Sequence, residues 1–297
     1  MTAPVSEEHA AAFEAARPRL FGVAYRMLGS VAEADDVVQD AWLRWQGADR
    51  DAVRDPVAFL VTTTTRLALN VLQSARVRRE AYVGPWLPEP VDTSADPALG
   101  AQRGEALEIA VLMLLEKLTP TERAAYVLHE AFDYPYGDVA AVLETSGDNA
   151  RQLASRARRK LAAERRAARA DDDARRRLLE AFVAAARDGD VGRLEALLAA
   201  DVVNHADGGG VVHASRVPLH GRERVARAVV GVVAKFWDAA TTTEALDLNG
   251  APAILSRDGD GAPIAVLAIE VDERTGAVAT ILWQVNPEKL AQFAVTG

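Results

Sequence analysis

The sequence contains no cysteine, and this absence excludes disulfide bonds, thiolate metal ligands and cysteine-based redox sensing. It also lacks any apolar run close to the ~18–20 residues that a membrane-spanning helix requires. The first ten residues, MTAPVSEEHA, do not show the basic and then apolar pattern of a secretory signal peptide. These absences favour a cytoplasmic protein that does not bind membranes, and we expect no metal or cofactor.

A net positive charge is also missing, since the 297 residues carry a formal net charge of −9 at pH 7. A protein that binds DNA strongly by itself is normally basic, because phosphate neutralisation supplies most of the non-specific affinity. Positive charge is instead local: residues 151–169 contain eight basic residues and one acid, Glu164. The chain therefore either does not bind DNA or binds it only within a larger assembly, and the local cluster favours the second reading.

The first eighty residues show helical periodicity. Apolar residues recur at i, i+3, i+4 and i+7 on two successive segments, which predicts two amphipathic helices. The apolar faces comprise Phe13, Ala16, Leu20, Val23 and Met27, then Ala34, Val37, Val38, Ala41, Trp42 and Trp45. Ser30 followed by Glu33 is a capping-box pattern that starts the second helix. Pro56 lies in the first turn of a third helix that runs to about Arg79.

Residues 84–104 contain four prolines and several glycines, so this segment is predicted to be a linker. The sequence Thr119-Pro120-Thr121-Glu122 then starts a helix that ends near Phe132. A short helix, the turn ETSG and a last helix capped by Ser146 follow, and the exposed face of that last helix is basic. This order of elements predicts a helix-turn-helix.

The charged run ADDDARRR at 170–177 marks another domain boundary, beyond which the pattern changes. Spaced apolar residues predict one helix around Phe182 and another from Val225 to Phe236. Strand-like segments separated by turn sequences follow at 242–249, 251–256, 263–271 and 276–285. We therefore predict an α+β domain with a meandering antiparallel sheet.

Two segments resemble a known family. Residues 13–45 (FEAARPRLFGVAYRMLGSVAEADDVVQDAWLRW) are similar to conserved region 2 of the extracytoplasmic-function (ECF) sigma factors, and residues 116–161 are similar to their region 4. The two regions in this order and at this separation are highly specific. The resemblance implies a subunit that directs promoter recognition and transcription initiation, with core RNA polymerase and promoter DNA as partners.

Three short motifs indicate a subgroup of that family. YVGPWLPEP (82–90), DGGG (207–210) and NPEKL (286–290) together resemble sigma factors that carry a fused SnoaL-like C-terminal domain, an α+β cone with a curved antiparallel sheet. The family pattern usually has Lys where this sequence has Val211, and Asp where it has Glu288. The second change keeps the charge, whereas the first removes a cation.

The resemblance divides this multidomain chain into four parts. Residues 1–83 would be an all-α region 2 that binds core polymerase and the −10 element, followed by the Pro-rich linker 84–105 with its WLPEP motif. Residues 106–168 would be an all-α region 4 that binds the −35 element, and residues 172–297 would be the SnoaL-like regulatory domain. No dedicated anti-sigma protein is expected, because the fused domain would take that role.

Candidate site residues in region 2 follow from the resemblance. The polymerase would be bound by Asp35, Asp36, Gln39 and Asp40, although such residues could equally form a solvated helix face. The −10 element would be read by Thr62, Thr65, Arg66, Asn70, Gln73 and Arg76, with a pocket for a splayed base in the loop 47–56. The run of threonines at 62–65 could instead be structural, packing against the first two helices.

The last helix of the helix-turn-helix carries side chains that suit the major groove, since Arg and Asn or Gln bond guanine and adenine edges bidentately. The candidate −35 contacts are Asn149, Arg151, Gln152, Ser155, Arg156 and Arg159. Arg158, Lys160 and Arg165 are expected to contact phosphates or to keep the helix soluble.

In the C-terminal domain, the expected inter-domain regulatory residues are those of the three motifs: Trp86, Leu87, Pro88, Glu89, Pro90, Asp207, Gly208, Gly209, Gly210, Asn286, Pro287, Glu288, Lys289 and Leu290. Three consecutive glycines suit a close backbone approach between segments. A second set, His205, Asp207, His213, Trp237 and Trp283, could line a cavity that takes a small ligand, or could serve acid–base chemistry. For His205 and Trp283 the favoured alternative is a packing role.

Two other functions fit parts of the sequence. One is a polymerase-independent helix-turn-helix regulator with a ligand-sensing domain, which would bind its operator without polymerase. The other is an enzymatic activity in the C-terminal domain, which would require a pocket with a strongly perturbed carboxylate or histidine. The negative net charge argues against the first, and the incomplete set of catalytic groups argues against the second.

Overall fold

The computed structural model describes residues 7–49, 52–93, 108–164, 171–272 and 274–294, with backbone alone for 75–80 and 163–164. The chain forms two compact units. Unit 1 comprises residues 1–80 and 96–164, and unit 2 comprises residues 81–95 and 165–297. The first half of the predicted linker therefore belongs to the C-terminal unit.

Unit 1 is built from helices. These are α1 (Glu7–Leu28), α2 (Val31–Gly47), α3 (Pro56–Glu80), α4 (Ile109–Leu115), α5 (Pro120–Tyr126), α6 (Tyr136–Val142) and α7 (Gly147–Glu164). A π-helical turn, Val127–Ala131, continues α5. Among the residues that the structure describes, no helix is both long and apolar enough to cross a membrane.

The first three helices pack as the periodicity predicts. The predicted apolar positions of α1, and those of α2 apart from the half-buried Trp42, are buried. Trp45 is fully buried, and its indole nitrogen donates to the carbonyl of His9 at 2.9 Å. Ser30 caps α2, since its hydroxyl accepts from the amide of Glu33 at 3.3 Å. The predicted start of α2 and of α3 is thus confirmed.

The helix-turn-helix comprises α5, α6 and α7. Thr119 and Glu122 form the predicted capping box at the start of α5, and the Ser146 hydroxyl accepts from the amide of Asn149 at the start of α7. The predicted apolar stripe of α7 is buried: Ala150, Leu153, Ala154, Ala157 and Leu161.

Buried arginines join the two helical groups of unit 1, which are helices α1 to α3 and helices α4 to α7. Arg123 in α5 is only 3% exposed, and its guanidinium donates to the carbonyl of Met27 in α1 and to Glu116, both at 2.6 Å. Arg26 is also buried, 4.8 Å above the ring of Phe132, and burial lowers its pKa to about 10. Arg19 donates to the carbonyl of Phe132 at 3.2 Å. Long-range bonds of this kind hold α1 against the helix-turn-helix.

Unit 2 packs helices against a six-stranded sheet. Its helices are α8 (Asp172–Arg187), α9 (Val191–Leu197), α10 (Arg222–Phe236) and α11 (Pro287–Leu290). Its strands are β1 (Leu198–Asp207), β2 (Leu219–His220), β3 (Thr242–Leu248), β4 (Ala251–Arg257), β5 (Pro263–Asp272) and β6 (Ala277–Gln284), in the order β2-β1-β6-β5-β4-β3. The main core of unit 2 includes Phe182, Val225, Val229, Leu267 and Trp283.

The sheet differs from the predicted antiparallel meander because it contains two further strands, β1 and β2. Strands β3 to β6 are antiparallel neighbours as predicted, but β1 runs parallel to β6. Strand β1 was not predicted because it follows α9 directly and contains Asp201, Asn204 and His205. Its pairing register also shifts between Leu198 and Val203, which interrupts the alternation of apolar and polar residues.

A two-residue turn joins β3 and β4. Asn249 and Gly250 have φ values of +55° and +73°, and they separate the paired residues Leu248 and Ala251. Two positive φ angles define a type I′ turn, for which Asn-Gly is the preferred sequence. This turn also places the Asn249 side chain beside the linker.

We expect Arg123→Met to lower the free energy of unfolding of unit 1 by about 2–3 kcal/mol, because the charged hydrogen bonds to Met27 and Glu116 are lost. Urea denaturation followed by the helical circular dichroism signal measures the change. Arg17→Met is the matched control, since the Arg17 side chain is exposed and its pair with Glu14 lies on the surface. Equal effects of the two variants would contradict a special role for the buried guanidinium.

Candidate functional site

The predicted polymerase-binding residues lie together on one face of α2. Asp35, Asp36, Gln39 and Asp40 are all exposed, while the opposite face of the helix is buried against α1 and α3. The face presents three carboxylates, which suits a basic partner surface.

The residues predicted to bind the −10 element differ in their exposure to solvent. Arg66, Asn70 and Gln73 are exposed on α3 and Thr62 is half-buried, whereas the Arg76 side chain lies outside the described residues. The prediction for Thr65 is wrong: its side chain is fully buried, and its hydroxyl donates to the carbonyl of Val61 at 2.8 Å. A β-branched residue at this position packs into the helical core of unit 1. Part of the predicted pocket, residues 50–51 of the 47–56 loop, is also outside the described residues.

Arg66 makes an unexpected contact with the helix-turn-helix. Its guanidinium donates to the carbonyls of Val142 and Ala141, each at 3.1 Å, and pairs with Glu144 at 3.1 Å. A side chain predicted to bind the −10 element is therefore bonded to the end of α6, immediately before the helix predicted to bind the −35 element.

The predicted −35 residues form the exposed face of α7. Arg151, Gln152, Arg156 and Arg159 are exposed, and Asn149 and Ser155 are half-buried. The Asn149 amide donates to the hydroxyl of Thr145 at 2.8 Å, which fixes its orientation at the start of the helix. The guanidinium of Arg151 lies 5.3 Å from the centre of the Tyr136 ring.

Two other basic residues of α7 contact acids of unit 1. Arg158 bonds to Glu130, and Lys160 donates to Glu122 at 2.8 Å. Arg165 lies outside the described residues. Acidic partners neutralise the charges of Arg158 and Lys160. Arg151 and Arg159 lack such a pair within the described residues, so they supply more of the positive field of this face.

In unit 2, residues 82–93, here called the tether, bind to the C-terminal domain. Leu87, Pro88, Pro90, Val91 and Thr93 are buried, and Trp86 and Glu89 are half-buried. The three sequence motifs come together at this place.

Asp207, at the end of β1, is the centre of the tether contact. Its carboxylate is fully buried and accepts from the Tyr82 hydroxyl at 2.6 Å, the Leu87 amide at 2.8 Å and the Lys289 ammonium at 2.8 Å. The amide of Gly209 also donates to it at 3.0 Å. A buried carboxylate needs this many donors because it has lost its hydration.

Lys289 is the cation of this pair, and its side chain is 8% exposed. Its ammonium also donates to the carbonyl of Leu87 at 2.5 Å and lies 4.3 Å from the centre of the Trp86 ring. The same ammonium therefore contacts backbone and side chains of the tether while it neutralises Asp207.

The far end of the tether is bonded to the β3–β4 turn. The backbone amide of Val91 donates to the side-chain oxygen of Asn249 at 2.9 Å, and the backbone amide of Asn249 donates to the Val91 carbonyl at 2.8 Å. Thr93 donates its amide to the carbonyl of Asp247 at 3.1 Å. The tether is thus held at both ends.

The glycines of the DGGG motif permit a close approach. Gly209 and Gly210 have φ values of +63° and +75°, in the left-handed region that favours glycine. A Cβ atom on Gly209 would lie 2.4 Å from the Asn286 side-chain nitrogen, and one on Gly210 would lie 3.1 Å from Val83. Val211, where the family usually has Lys, is 67% exposed.

Tyr82 was not among the predicted site residues, although it begins the quoted linker motif. Burial and the bonded Asp207 carboxylate raise the pKa of Tyr82 well above its usual value, so its hydroxyl stays protonated and remains a donor. Gln284 and Asn249 were also missed, because an isolated amide carries no sequence signal of its partner. The position of Gln284 directly before NPEKL is the one signal that could have identified it.

A separate cavity of about 320 Å³ lies on the other face of β1. Of the residues predicted to share a cavity, His213, Trp237 and Trp283 line it, together with Asn204 and Ala206. His205 and Asp207 do not line it, which corrects that prediction: alternate residues of a strand point to opposite faces. Asp207 therefore belongs to the tether contact and is separated from the cavity.

Comparison with known proteins identifies the class. Residues 12–78 match the Sigma-70 region 2 family, and residues 108–161 match the Sigma-70 region 4 family. A two-region sigma factor is the class that the helical elements define. The chain belongs to the ECF RNA polymerase sigma factors, as its similarity to members of that family shows.

Two of these relatives are from Mycobacterium tuberculosis. The ECF RNA polymerase sigma factor SigJ is 41% identical over 75% of this chain and 73% of its own length. The probable ECF sigma factor SigI is 32% identical over 94% of both chains. A crystal structure of M. tuberculosis SigJ superposes with a TM-score of 0.76 and 34% identity, over 95% of this chain and 98% of that one. The predicted family and the fold class, with a SnoaL-like C-terminal domain, are confirmed.

We expect Asp207→Asn to release the tether, because the substitution leaves the buried Lys289 without its counter-ion. A loss of about 3 kcal/mol in tether binding is expected, equivalent to roughly 100-fold faster amide exchange at Leu87, Val91 and Thr93. Hydrogen-exchange mass spectrometry measures these rates. Asp201→Asn, on an exposed position of the same strand, is the control; unchanged exchange in Asp207→Asn would refute the assignment.

We further expect Gly209→Ala to lower the melting temperature of unit 2 by about 3–6 °C, because the added methyl group strains φ and collides with Asn286. Differential scanning calorimetry gives the value. Gly231→Ala, in the middle of α10 with open space around it, is the matched control and is expected to be neutral or slightly stabilising. A neutral Gly209→Ala variant would show that the loop adapts without loss.

Proposed function

We propose that this ECF sigma factor alternates between a closed state, in which its two DNA-reading helical groups pack together, and an open state that binds the promoter within RNA polymerase. Sigma factors bind core RNA polymerase and promoter DNA, and the proposal concerns which residues do so here and how the protein controls them. The observation that carries it is the bonding of Arg66 to Val142 and Ala141.

The spacing of the promoter elements indicates that the packed arrangement of the helices is not the one that binds the promoter. The −10 and −35 elements are about 25 base pairs apart, which is roughly 85 Å of B-form DNA at ~3.4 Å per base pair. Helices α3 and α6 lie within hydrogen-bond distance of each other in unit 1, with α7 directly after α6. One compact helical unit cannot reach both elements at once, so α3 and α7 must separate before both bind.

Arg66 then has two alternative partners. In the closed state its guanidinium bonds to the end of α6 and to Glu144; in the open state it is free to bond to the −10 strand with Asn70 and Gln73. This competition couples opening to DNA binding, because the closed state loses the Arg66 bonds to α6 and Glu144 when Arg66 binds DNA. The exposed acids of α2, Asp35, Asp36 and Asp40, bind the polymerase in either state.

The C-terminal domain acts on this equilibrium through the tether. The tether lies in the only stretch of chain that joins α3 to α4, and its binding by Asp207, Lys289 and Asn249 restricts how the two helical groups separate. Control is then built into the chain, with no dedicated anti-sigma protein. The protein acts by binding and release, without covalent chemistry.

We expect spin labels on Ala58→Cys and Ala141→Cys to lie close in the free protein, because Arg66 in the helix of Ala58 donates to the carbonyl of Ala141. The labels are expected to move apart by more than ~20 Å with core polymerase and promoter DNA. The absence of native cysteine makes the two labels specific. Both positions are exposed, in α3 and α6. Pulsed electron paramagnetic resonance measures the separation. An unchanged distance in the active complex would overturn the closed state.

Promoter-dependent transcription by core polymerase tests the rest. Full-length protein, chains cut after about residue 168 and after about residue 215, and the Asp207→Asn variant are compared. Discrete transcripts whose level differs between full-length and altered chains support control by the tether. Equal activity in all four would refute that control, and tight operator binding by the protein alone without transcripts would favour a polymerase-independent regulator.

A further inference from the structure

The cavity of unit 2 has the size of a ligand site. It lies between β1, β5, β6 and α10, and its volume of about 320 Å³ is within the range of small-molecule pockets, roughly 300–1,000 Å³. The half-exposed side chains of Val232 and Phe236 line it, so solvent molecules can enter there.

The walls of the cavity are aromatic and aliphatic. Trp237 and Trp283 meet edge to face, with ring centres 6.4 Å apart, and the other walls include Leu219, Val229 and Val233. The described lining contains no carboxylate, lysine or arginine. A charged guest would lose its hydration there without an ionic partner, so the cavity favours a neutral molecule.

One polar group in this wall lacks a partner. Asn204 lines the cavity and is only 6% exposed, and its side-chain oxygen has no hydrogen-bond partner within the part of the chain that the structure describes. Buried amides are nearly always bonded, and an unbonded one is unfavourable. A guest with a hydroxyl or amide group would supply the missing bond. His213 and Ser215 add two further polar side chains to the lining.

We propose that this cavity binds a neutral ring compound that carries one hydroxyl or amide group, which hydrogen-bonds to Asn204. The rings of Trp237 and Trp283 contact the apolar body of the compound.

Occupancy of the cavity is positioned to affect the tether, a consequence that rests on the proposed function. Around the end of β6 and α11, Val285, Pro287 and Leu290 line the cavity. Neighbouring residues of the same segment contact the tether or its anchor: Gln284, Asn286 and Lys289. A guest that shifts this segment also shifts the donors that hold Asp207 and Leu87.

The test uses 2-naphthol as the neutral probe and 2-naphthalenesulfonate as its anionic counterpart, titrated calorimetrically into the full-length protein. We expect saturable one-to-one binding of 2-naphthol and at least tenfold weaker binding of the sulfonate. Asn204→Leu, similar in size but without the amide, is expected to weaken 2-naphthol binding roughly tenfold. Absence of saturable binding, or equal binding of both probes, would overturn the proposal.

Two blocking variants locate the site. Ala228→Phe fills the cavity and is expected to abolish binding, whereas Ala234→Phe, an exposed position of α10 outside the lining, is expected to leave it unchanged. Val232→Trp, at the half-exposed opening, is a second blocking variant whose position tolerates a large side chain. Binding that survives both blocking variants would place the probe elsewhere and refute the site.

The coupling to the tether has its own readout. Saturating 2-naphthol is expected to change amide exchange at Leu87 and Val91 by at least threefold in the native protein and not in Ala228→Phe. Binding without any change in exchange would overturn the coupling alone. All these measurements omit polymerase, so a failure of the closed-state proposal leaves the result on ligand binding intact.

Discussion

The buried carboxylate of Asp207 is the interaction on which the C-terminal unit depends. A carboxylate without water must be surrounded by donors. Here the donors come from two distant parts of the chain, Tyr82 and Leu87 in the tether and Lys289 in α11, and from Gly209 in the adjacent loop. The glycines are needed because these segments approach each other so closely. Residues 82–93 of the proline-rich segment are therefore part of a folded unit, although their composition resembles that of a flexible connector.

The pleat of a single strand separates two sites. On β1, Asn204 and Ala206 face the cavity, while Asp207 belongs to the tether contact. The segment from β6 to α11 is divided in the same way: Val285 and Leu290 line the cavity, and Asn286 and Lys289 contact the tether. Two adjacent sites on one strand share its backbone, so a small displacement of that backbone is felt on both sides. The cavity and the tether contact are therefore adjacent, with no further element between them among the described residues.

Much of this architecture could be predicted from the sequence. Helical periodicity, the caps at Ser30, Thr119 and Ser146, and the strand segments of β3 to β6 depend on local patterns, and the structure has them within a few residues. Strand β1 was missed because its pairing with β6 is parallel and long-range. The burial of Thr65 and the bonding of Arg66 to α6 depend on tertiary packing, which leaves no trace in neighbouring residues.

The position of the tether within the chain has a consequence for biosynthesis. Residues 82–93 leave the ribosome long before β6 and α11, and the bond between Leu87 and Lys289 spans 202 positions. All helices of unit 1 are complete by residue 164, while the sheet that receives the tether still lacks every strand. Because domains fold largely in order of synthesis, the nascent protein first has unit 1 with an undocked tether. The tether can bind Lys289 only after α11 has been synthesised, and until then each newly made molecule has its helical unit without a docked tether.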